Sequence, residues 1–392
     1  YICVLNSDKH VNFNEKFKYS NNLAFYILHK IDMKLPKAKR INTEKYIAGL
    51  SIFKKKAIKV KLSANESALG PSPKAIREYN KVSKNFKRYP DTNGDLLRKI
   101  LANKFNLNPE RIILGSGSDQ ILELVCKAFI NKGDEVIVPK NSFVVYRIYS
   151  KINGAKIKYA NEKNFIVSVK NILSCVSKKT KIVFLANPNN PTGTHLNSRE
   201  VIFLRKKLPS NILLVIDDAY FEYVGENDYS SGLKLFSNNK NVIVTRTFSK
   251  IYGLAGLRVG WGYSSKYIIQ SLNKFKPPFN VNSPALKAAA AAVYDTNWLK
   301  KEIKHVSKWR DIMYEKFKKM QVETNKGETN FLLINFERVK ISSIKVFREL
   351  AKSGILVRKL DSYKIKNSLR ISIGNENENK KLLLKLEKII NV

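Results

Sequence analysis

Short β-rich runs, most of them close to continuously apolar, recur through the middle of the chain, at Arg111–Leu114, Glu135–Val138, Lys156–Tyr159, Lys181–Leu185, Ile212–Ile216, Val242–Thr245 and Arg258–Gly262. Segments of helical periodicity separate several of them, most clearly Asp119–Ile130, Val144–Lys151 and Ser198–Lys207. Strands that are apolar on both faces and alternate with helices predict a mostly parallel, seven-stranded sheet covered on either side. After Pro284 the pattern changes to an Ala-rich helix, Ala285–Tyr294, and a long amphipathic helix from Trp298 to about Met320. The tail then reads as strand Phe331–Phe336, helix Ile344–Lys352, strands Leu356–Arg358 and Leu369–Ile373, and a final helix Lys380–Ile390. The expected fold class is α/β, with a large domain over 86–284 and a smaller α+β domain over 285–392. Residues 33–85 are read as an N-terminal arm, partly in the small domain.

Composition narrows the classes. With 392 residues, 44% hydrophobic and 10% aromatic, the chain can bury a large core and is not a disordered polymer. The longest apolar runs, such as Ile212–Ile216, fall far short of the roughly 18 residues of a membrane helix, so no membrane partner is expected. Three scattered cysteines, Cys3, Cys126 and Cys175, have the spacing of neither a disulfide framework nor a zinc site. A reducing compartment, the cytoplasm, is expected, and no metal. The net charge of +40 raises nucleic acid as a partner. However, the excess is mostly lysine, spread evenly among many Asn and Ile residues that share AT-rich codons. Clustered arginines with stacking aromatics are missing, so no specific nucleic-acid partner is expected, only weak binding to polyanions at low salt. The first methionine is Met33, and 1–32 are expected to be a non-native or disordered extension ahead of a natural start there.

In parallel α/β sheets, ligands gather at the carboxyl ends of the strands. One such end carries Gly115-Ser116-Gly117-Ser118-Asp119-Gln120, glycines leading into a helix N-terminus, a geometry that favours anions. Another leads into Asn187-Pro188-Asn189-Asn190-Pro191-Thr192-Gly193. A third delivers Asp217-Asp218-Ala219-Tyr220, a carboxylate that is costly to bury unless a cation pairs with it. The last carries Ser249-Lys250 and then Gly253, Gly256 and Arg258. Taken singly, these are a capped Gly-rich turn, an Asn/Pro turn, a buried acid and a surface lysine.

Together, in this order and at these spacings, N-P-x-N-P-T-G at 187–193, D-x-A-Y at 217–220 and S-K-x-x-G-x-x-G-x-R at 249–258 resemble the class I/II aminotransferases of fold-type I. The resemblance covers about 45–392 and implies pyridoxal 5'-phosphate as cofactor. It implies that Lys250 carries the cofactor through an imine and shuttles the substrate proton. Asp217 would hold the ring nitrogen protonated, while Tyr220 and Asn190 would bond the ring 3'-oxygen. Phe143 would stack on the ring. The phosphate would rest on Gly117 and the Ser118 and Asp119 amides, with Ser249 and Arg258 as side-chain ligands. Tyr89 would reach the phosphate of a neighbouring subunit, which implies a homodimer with shared active sites. The resemblance further implies a cis Asn190–Pro191 bond.

Leu62-Ser63-Ala64-Asn65-Glu66, followed by Arg88-Tyr89-Pro90-Asp91, is similar to the opening of histidinol-phosphate aminotransferases. Ile355-Leu356-Val357-Arg358 and Leu369-Arg370-Ile371 resemble that family's two arginine strands. This implies histidinol phosphate and 2-oxoglutarate/glutamate as substrates, in histidine biosynthesis. Arg358 and Arg370 would bind substrate together with Asn190, and Arg370 would also take glutamate's carboxylate. Ser67 and Gln120 depart from that pattern, where relatives carry an aromatic and an acidic residue. The alternatives are an aromatic amino-acid aminotransferase, a threonine-phosphate decarboxylase of the same fold, or a basic nucleic-acid-binding or regulatory protein that retains the fold.

Overall fold

The computed structural model describes residues 41–47, 58–82 and 85–390. The first elements are β1 (Val60–Leu62), α1 (Pro73–Val82), α2 (Asp95–Phe105), β2 (Ile112–Gly115) and α3 (Ser118–Phe129). Next come β3 (Glu135–Pro139), α4 (Val144–Ile152), β4 (Lys156–Ala160), α5 (Val169–Ser174), β5 (Thr180–Ala186) and α6 (Ser198–Lys207). They lead to β6 (Leu213–Asp217), α7 (Gly232–Phe236), β7 (Val242–Thr247), β8 (Gly260–Tyr263) and α8 (Lys266–Asn273).

The seven apolar runs form one sheet in the order β2-β8-β7-β6-β5-β3-β4. Neighbours pair parallel except at β8, which runs antiparallel to both β2 and β7. Alternate residues of a strand face opposite sides, and both sides are dry. Ile113, Val136, Val138, Ile182, Phe184 and Val215 pack under Ile121, Leu122 and Val125 of α3. Their neighbours Ile112, Leu114, Ile137, Val183, Leu185 and Leu214 belong to the opposite core, with Val201 and Leu204 of α6. Two-sided burial fails only at β4, where Lys156, Lys158 and Tyr159 are exposed. This is an edge strand, and its lysines discourage pairing with another sheet.

The remaining elements are α9 (Ser283–Tyr294), α10 (Thr296–Lys319), β9 (Glu323–Thr324), β10 (Phe331–Asn335), α11 (Ser343–Lys352), β11 (Ile355–Lys359), β12 (Ser368–Ser372) and α12 (Glu376–Ile390). Helix α9 packs on α1 and α2, its alanines allowing close approach. The second sheet has the order β1-β11-β12-β10-β9, with β1 parallel to β11 and the other pairs antiparallel.

Two boundaries differ from expectation for local reasons. The run at Arg258–Gly262 is a strand only from Gly260; Ala255–Leu257 form a 3₁₀ turn and Arg258 sits at φ 55°. The final helix begins at Glu376, because Asn375 and Glu378 exchange side-chain-to-backbone bonds that cap it early. Elements β1, α1, α2, α5, α7, α8 and β9 are short or have weak apolar patterns and were not anticipated. The extension expected over 1–32 lies outside the described residues. Among the described residues, no helix is long and apolar enough to cross a membrane.

Candidate active site

Strand register in the large sheet assembles the first wall of the site. Ala186 of β5 lies beside Asp217 of β6, and Asp217 beside Thr245 of β7. Gly260 opens β8 next to Thr247 and Gly115. The loops that leave these ends therefore meet at one edge of the sheet, around a cavity of about 270 Å³. Of the residues expected at the site, Ser118, Asp119, Phe143, Asn190, Asp217, Tyr220, Ser249, Lys250, Arg258, Arg358 and Arg370 all line it. Gly117 stands directly behind Arg258. Tyr89 is not in the lining: it is 81% exposed and stacks on Phe279 at 4.5 Å.

Asp217 is the last residue of β6 and is buried. Its Oδ2 accepts a 2.7 Å hydrogen bond from the Tyr146 hydroxyl, while among the described residues no hydrogen-bond partner meets Oδ1. Burial pushes the carboxyl up to about 6, and the Tyr146 bond opposes that rise. Tyr146 was not anticipated. It stands one helical turn after Phe143, is held flat against Phe184 at 4.7 Å and meets Phe143 edge-on. Its spacing to Phe143 was the available signal.

Lys250 follows β7 and donates to the Ala64 carbonyl at 3.2 Å. Burial, reinforced by the nearby Arg370 guanidinium, lowers its ammonium to about 8, close enough to neutrality to make the free amine accessible. The Tyr220 hydroxyl accepts from Asn65 Nδ2 at 3.0 Å. Burial raises that phenol to about 12. Asn190 lies in a loop with two cis bonds, Asn187–Pro188 and the expected Asn190–Pro191, and its Oδ1 accepts from Arg370 Nη1.

The anion cradle is built by close backbone approach. A Cβ on Gly260 would lie 2.3 Å from the Ser118 nitrogen and 2.7 Å from the Gly117 carbonyl carbon, so only glycine lets β8 pass beneath the start of α3. Gly117 itself has φ +81°, and a Cβ there would meet Arg258 Nη2 at 2.3 Å. Arg258 donates through Nη1 to Ser249 Oγ at 3.2 Å and through Nη2 to Asp119 Oδ2 at 2.9 Å. Its left-handed backbone is what turns the guanidinium back into the cradle.

The opposite wall comes from the second sheet. Arg358 of β11 and Arg370 of β12 are direct cross-strand partners, both buried. Like charges in this relation repel, so the pair calls for an anion between them. Arg370 Nη2 donates to the Ser63 carbonyl at 3.1 Å, and Arg358 Nη2 to the Ile47 carbonyl at 2.6 Å. Tyr46, beside Ile47, lines the cavity and meets Phe143 edge-on. No local pattern marked Tyr46, Asn65 or Tyr363 as site residues, because tertiary contacts bring them there.

These residues fit pyridoxal 5'-phosphate. The unpartnered Asp217 Oδ1 is an acceptor for a protonated ring nitrogen, the Phe143 ring borders the same space, and the glycine-cleared cradle with Arg258 suits a phosphate. A half-buried lysine, a strand-end carboxylate and an anion cradle on this sheet define a cofactor-dependent group-transfer fold. The chain belongs to the aminotransferase class I and II family, whose model matches residues 57–386.

Within that family its similarity is specific. It is 47% identical over 360 residues to the histidinol-phosphate aminotransferase of Pelagibacter ubique (strain HTCC1062), covering 92% of this chain and 100% of that protein. It is 42% identical over 321 residues to the histidinol-phosphate aminotransferase of Rhodopseudomonas palustris (strain BisB18), covering 82% of this chain and 88% of that protein. Among solved structures, the histidinol-phosphate aminotransferase from Clostridium acetobutylicum matches with TM-score 0.78 and 26% identity, over 85% of this chain and 99% of that one. The Sinorhizobium meliloti enzyme, in complex with pyridoxal-5'-phosphate, matches in fold with TM-score 0.79 and 24% identity, over 86% of this chain and 92% of that one.

Proposed function

We propose that this chain transfers the amino group between L-histidinol phosphate and 2-oxoglutarate, giving imidazole acetol phosphate and L-glutamate, as a step of histidine biosynthesis. The observation that carries the reading is the facing pair of buried arginines, Arg358 and Arg370, on the wall opposite the anion cradle. One cradle serves a cofactor phosphate. A second, doubly cationic site then suits a substrate that carries a phosphate of its own.

When bound, pyridoxal 5'-phosphate supplies a protonated, conjugated ring that accepts the electron pair left on the substrate carbon. Asp217 Oδ1 would keep that ring nitrogen protonated, with Tyr146 holding Asp217 in place. Phe143 would pack on the ring face, while Tyr220 and Asn190 would bond its 3'-oxygen. Gly117, Ser118, Asp119, Ser249 and Arg258 hold the phosphate. Lys250 would hold the cofactor through Nζ, and the same amine, when free, would move the substrate-carbon proton. Arg358 grips the substrate phosphate. Arg370 serves both substrates, because 2-oxoglutarate and glutamate place a carboxylate where histidinol phosphate places part of its charge.

The reading includes a homodimer with shared sites, in which exposed Tyr89 reaches the phosphate held by the neighbouring subunit. It includes the cytoplasm, with which the free thiols of Cys126 and Cys175 agree. The deciding experiment supplies purified, cofactor-loaded protein with histidinol phosphate or phenylalanine as amino donor and 2-oxoglutarate as acceptor. Glutamate formed at a much higher kcat/KM from histidinol phosphate supports the proposal. Preference for phenylalanine, or carbon dioxide released from threonine phosphate, would refute it.

A further inference from the structure

The loop after β1 crosses the pocket wall at Ser63–Glu66, and one buried side chain in it links the second sheet to the turn that follows β6. Asn65 is 1% exposed and sits at φ 54°, a left-handed conformation that asparagine tolerates. Its backbone N–H donates to Ser372 Oγ at 2.8 Å. Ser372 then has one proton to give, and Asn65 Oδ1 lies 3.0 Å away to accept it. This orients the amide, leaving Nδ2 to face the Tyr220 hydroxyl at 3.0 Å. Asn330 Nδ2 holds the Asn65 carbonyl at 3.1 Å, so the loop cannot easily rotate away.

An amide nitrogen donates and never accepts. The Tyr220 oxygen must therefore accept from Asn65, and its own proton is left for something in the pocket. We infer that Asn65 is a positioning residue: by donating to Tyr220 it fixes that phenol as a hydrogen-bond donor toward the bound cofactor. This rests on the reading above that pyridoxal 5'-phosphate places its 3'-oxygen against Tyr220. The other charged groups facing Tyr220 are Asp217, Asp119, Arg370 and Lys250, whose Nζ lies 5.7 Å from the ring centroid. The contact on the Tyr220 oxygen is instead the Asn65 amide at 3.0 Å.

The test uses Asn65→Asp, which keeps the size and the left-handed tolerance but accepts where the amide donated. The Tyr220 proton is then drawn to the new carboxylate. A donor on the ring oxygen stabilises negative charge there and lowers the pH at which the cofactor's visible absorption band changes. Loss of that donor should raise the midpoint by about one to two pH units, the scale of a charge-assisted hydrogen bond. Ser372→Ala, which removes only the group orienting the amide, should move it the same way by less. In a Tyr220→Phe background, Asn65→Asp should add little, because the effect travels through the phenol.

An unmoved midpoint in both single variants, each with a normal melting temperature, overturns the inference. So does an Asn65→Asp shift of full size in the Tyr220→Phe background. Absence of any visible band from loaded wild-type protein would instead overturn the cofactor reading, and this assignment with it.

Discussion

Replacing Arg358 with alanine separates the two half-reactions. The side chain is 6% exposed, and among the described residues its bond to the Ile47 carbonyl uses one of five guanidinium donors. A charge-assisted bond to phosphate contributes roughly 1.5–3 kcal/mol, so Arg358→Ala should lower kcat/KM for histidinol phosphate about 10- to 150-fold. The glutamate half should stay largely intact, because Arg370 remains with its contact to Asn190. Arg370→Ala should damage both halves, and lysine at either position should rescue only partly, having charge without the two-pronged geometry. Stability should change little in Arg358→Ala: a backbone contact is lost, but repulsion across the β11–β12 pair is relieved. The assay is a single-turnover spectrum of loaded protein with each amino donor alone, with a melting curve beside it. Equal losses for both donors, or a collapse of the melting temperature, would make Arg358 a structural arginine and refute the reasoning.

Other outcomes are expected from the same geometry. Lys250→Ala should abolish turnover yet still bind pyridoxal 5'-phosphate through Arg258 and Ser249, as absorbance after gel filtration would reveal; near-normal turnover would contradict the mechanism. Gly260→Ala should weaken cofactor binding more than about tenfold, because the new methyl must displace the Ser118 amide; an unchanged cofactor titration would contradict the cradle. Tyr146→Phe should cost roughly tenfold in cofactor affinity, by removing the donor to Asp217. In cofactor-free protein, Asp217 is lifted by burial from 3.8 to about 6 and so binds a proton in the folded state that the unfolded chain has already lost. Wild type should therefore lose stability relative to Asp217→Asn as pH rises from about 4 to 6, and the difference should be flat above. Denaturant titrations across that range check the sign, and a difference that grows in the opposite direction would refute it.

The sequence by itself determined the large sheet and the chemistry at its edge. Runs such as Ile182–Leu185 and Ile212–Ile216 are apolar at every position, a pattern that suits a strand buried on both faces. Because parallel strands present their carboxyl ends together, residues just past those runs, Asn190, Asp217 and Lys250, converge without further instruction. Local chemistry also shaped the anion cradle, since Gly260 is needed where backbone passes that close to backbone and Gly117 where the chain takes a left-handed φ.

Tertiary structure alone decided which partners tune these groups. Nothing local in Asn65 indicates that its amide reaches Tyr220, 155 positions away, or that Ser372, 307 positions away, orients it. Arg358 and Arg370 are two strand arginines in the sequence, and only the β11–β12 register makes them a facing, mutually repelling pair. Arg258 reads as the start of a strand until the fold turns its backbone left-handed to bring the guanidinium to Ser249 and Asp119. The physical reason is the same in each case. Periodicity reports whether a side chain is wet or dry, which is a local property, whereas hydrogen-bond direction and charge pairing depend on groups that meet only after the two sheets have formed.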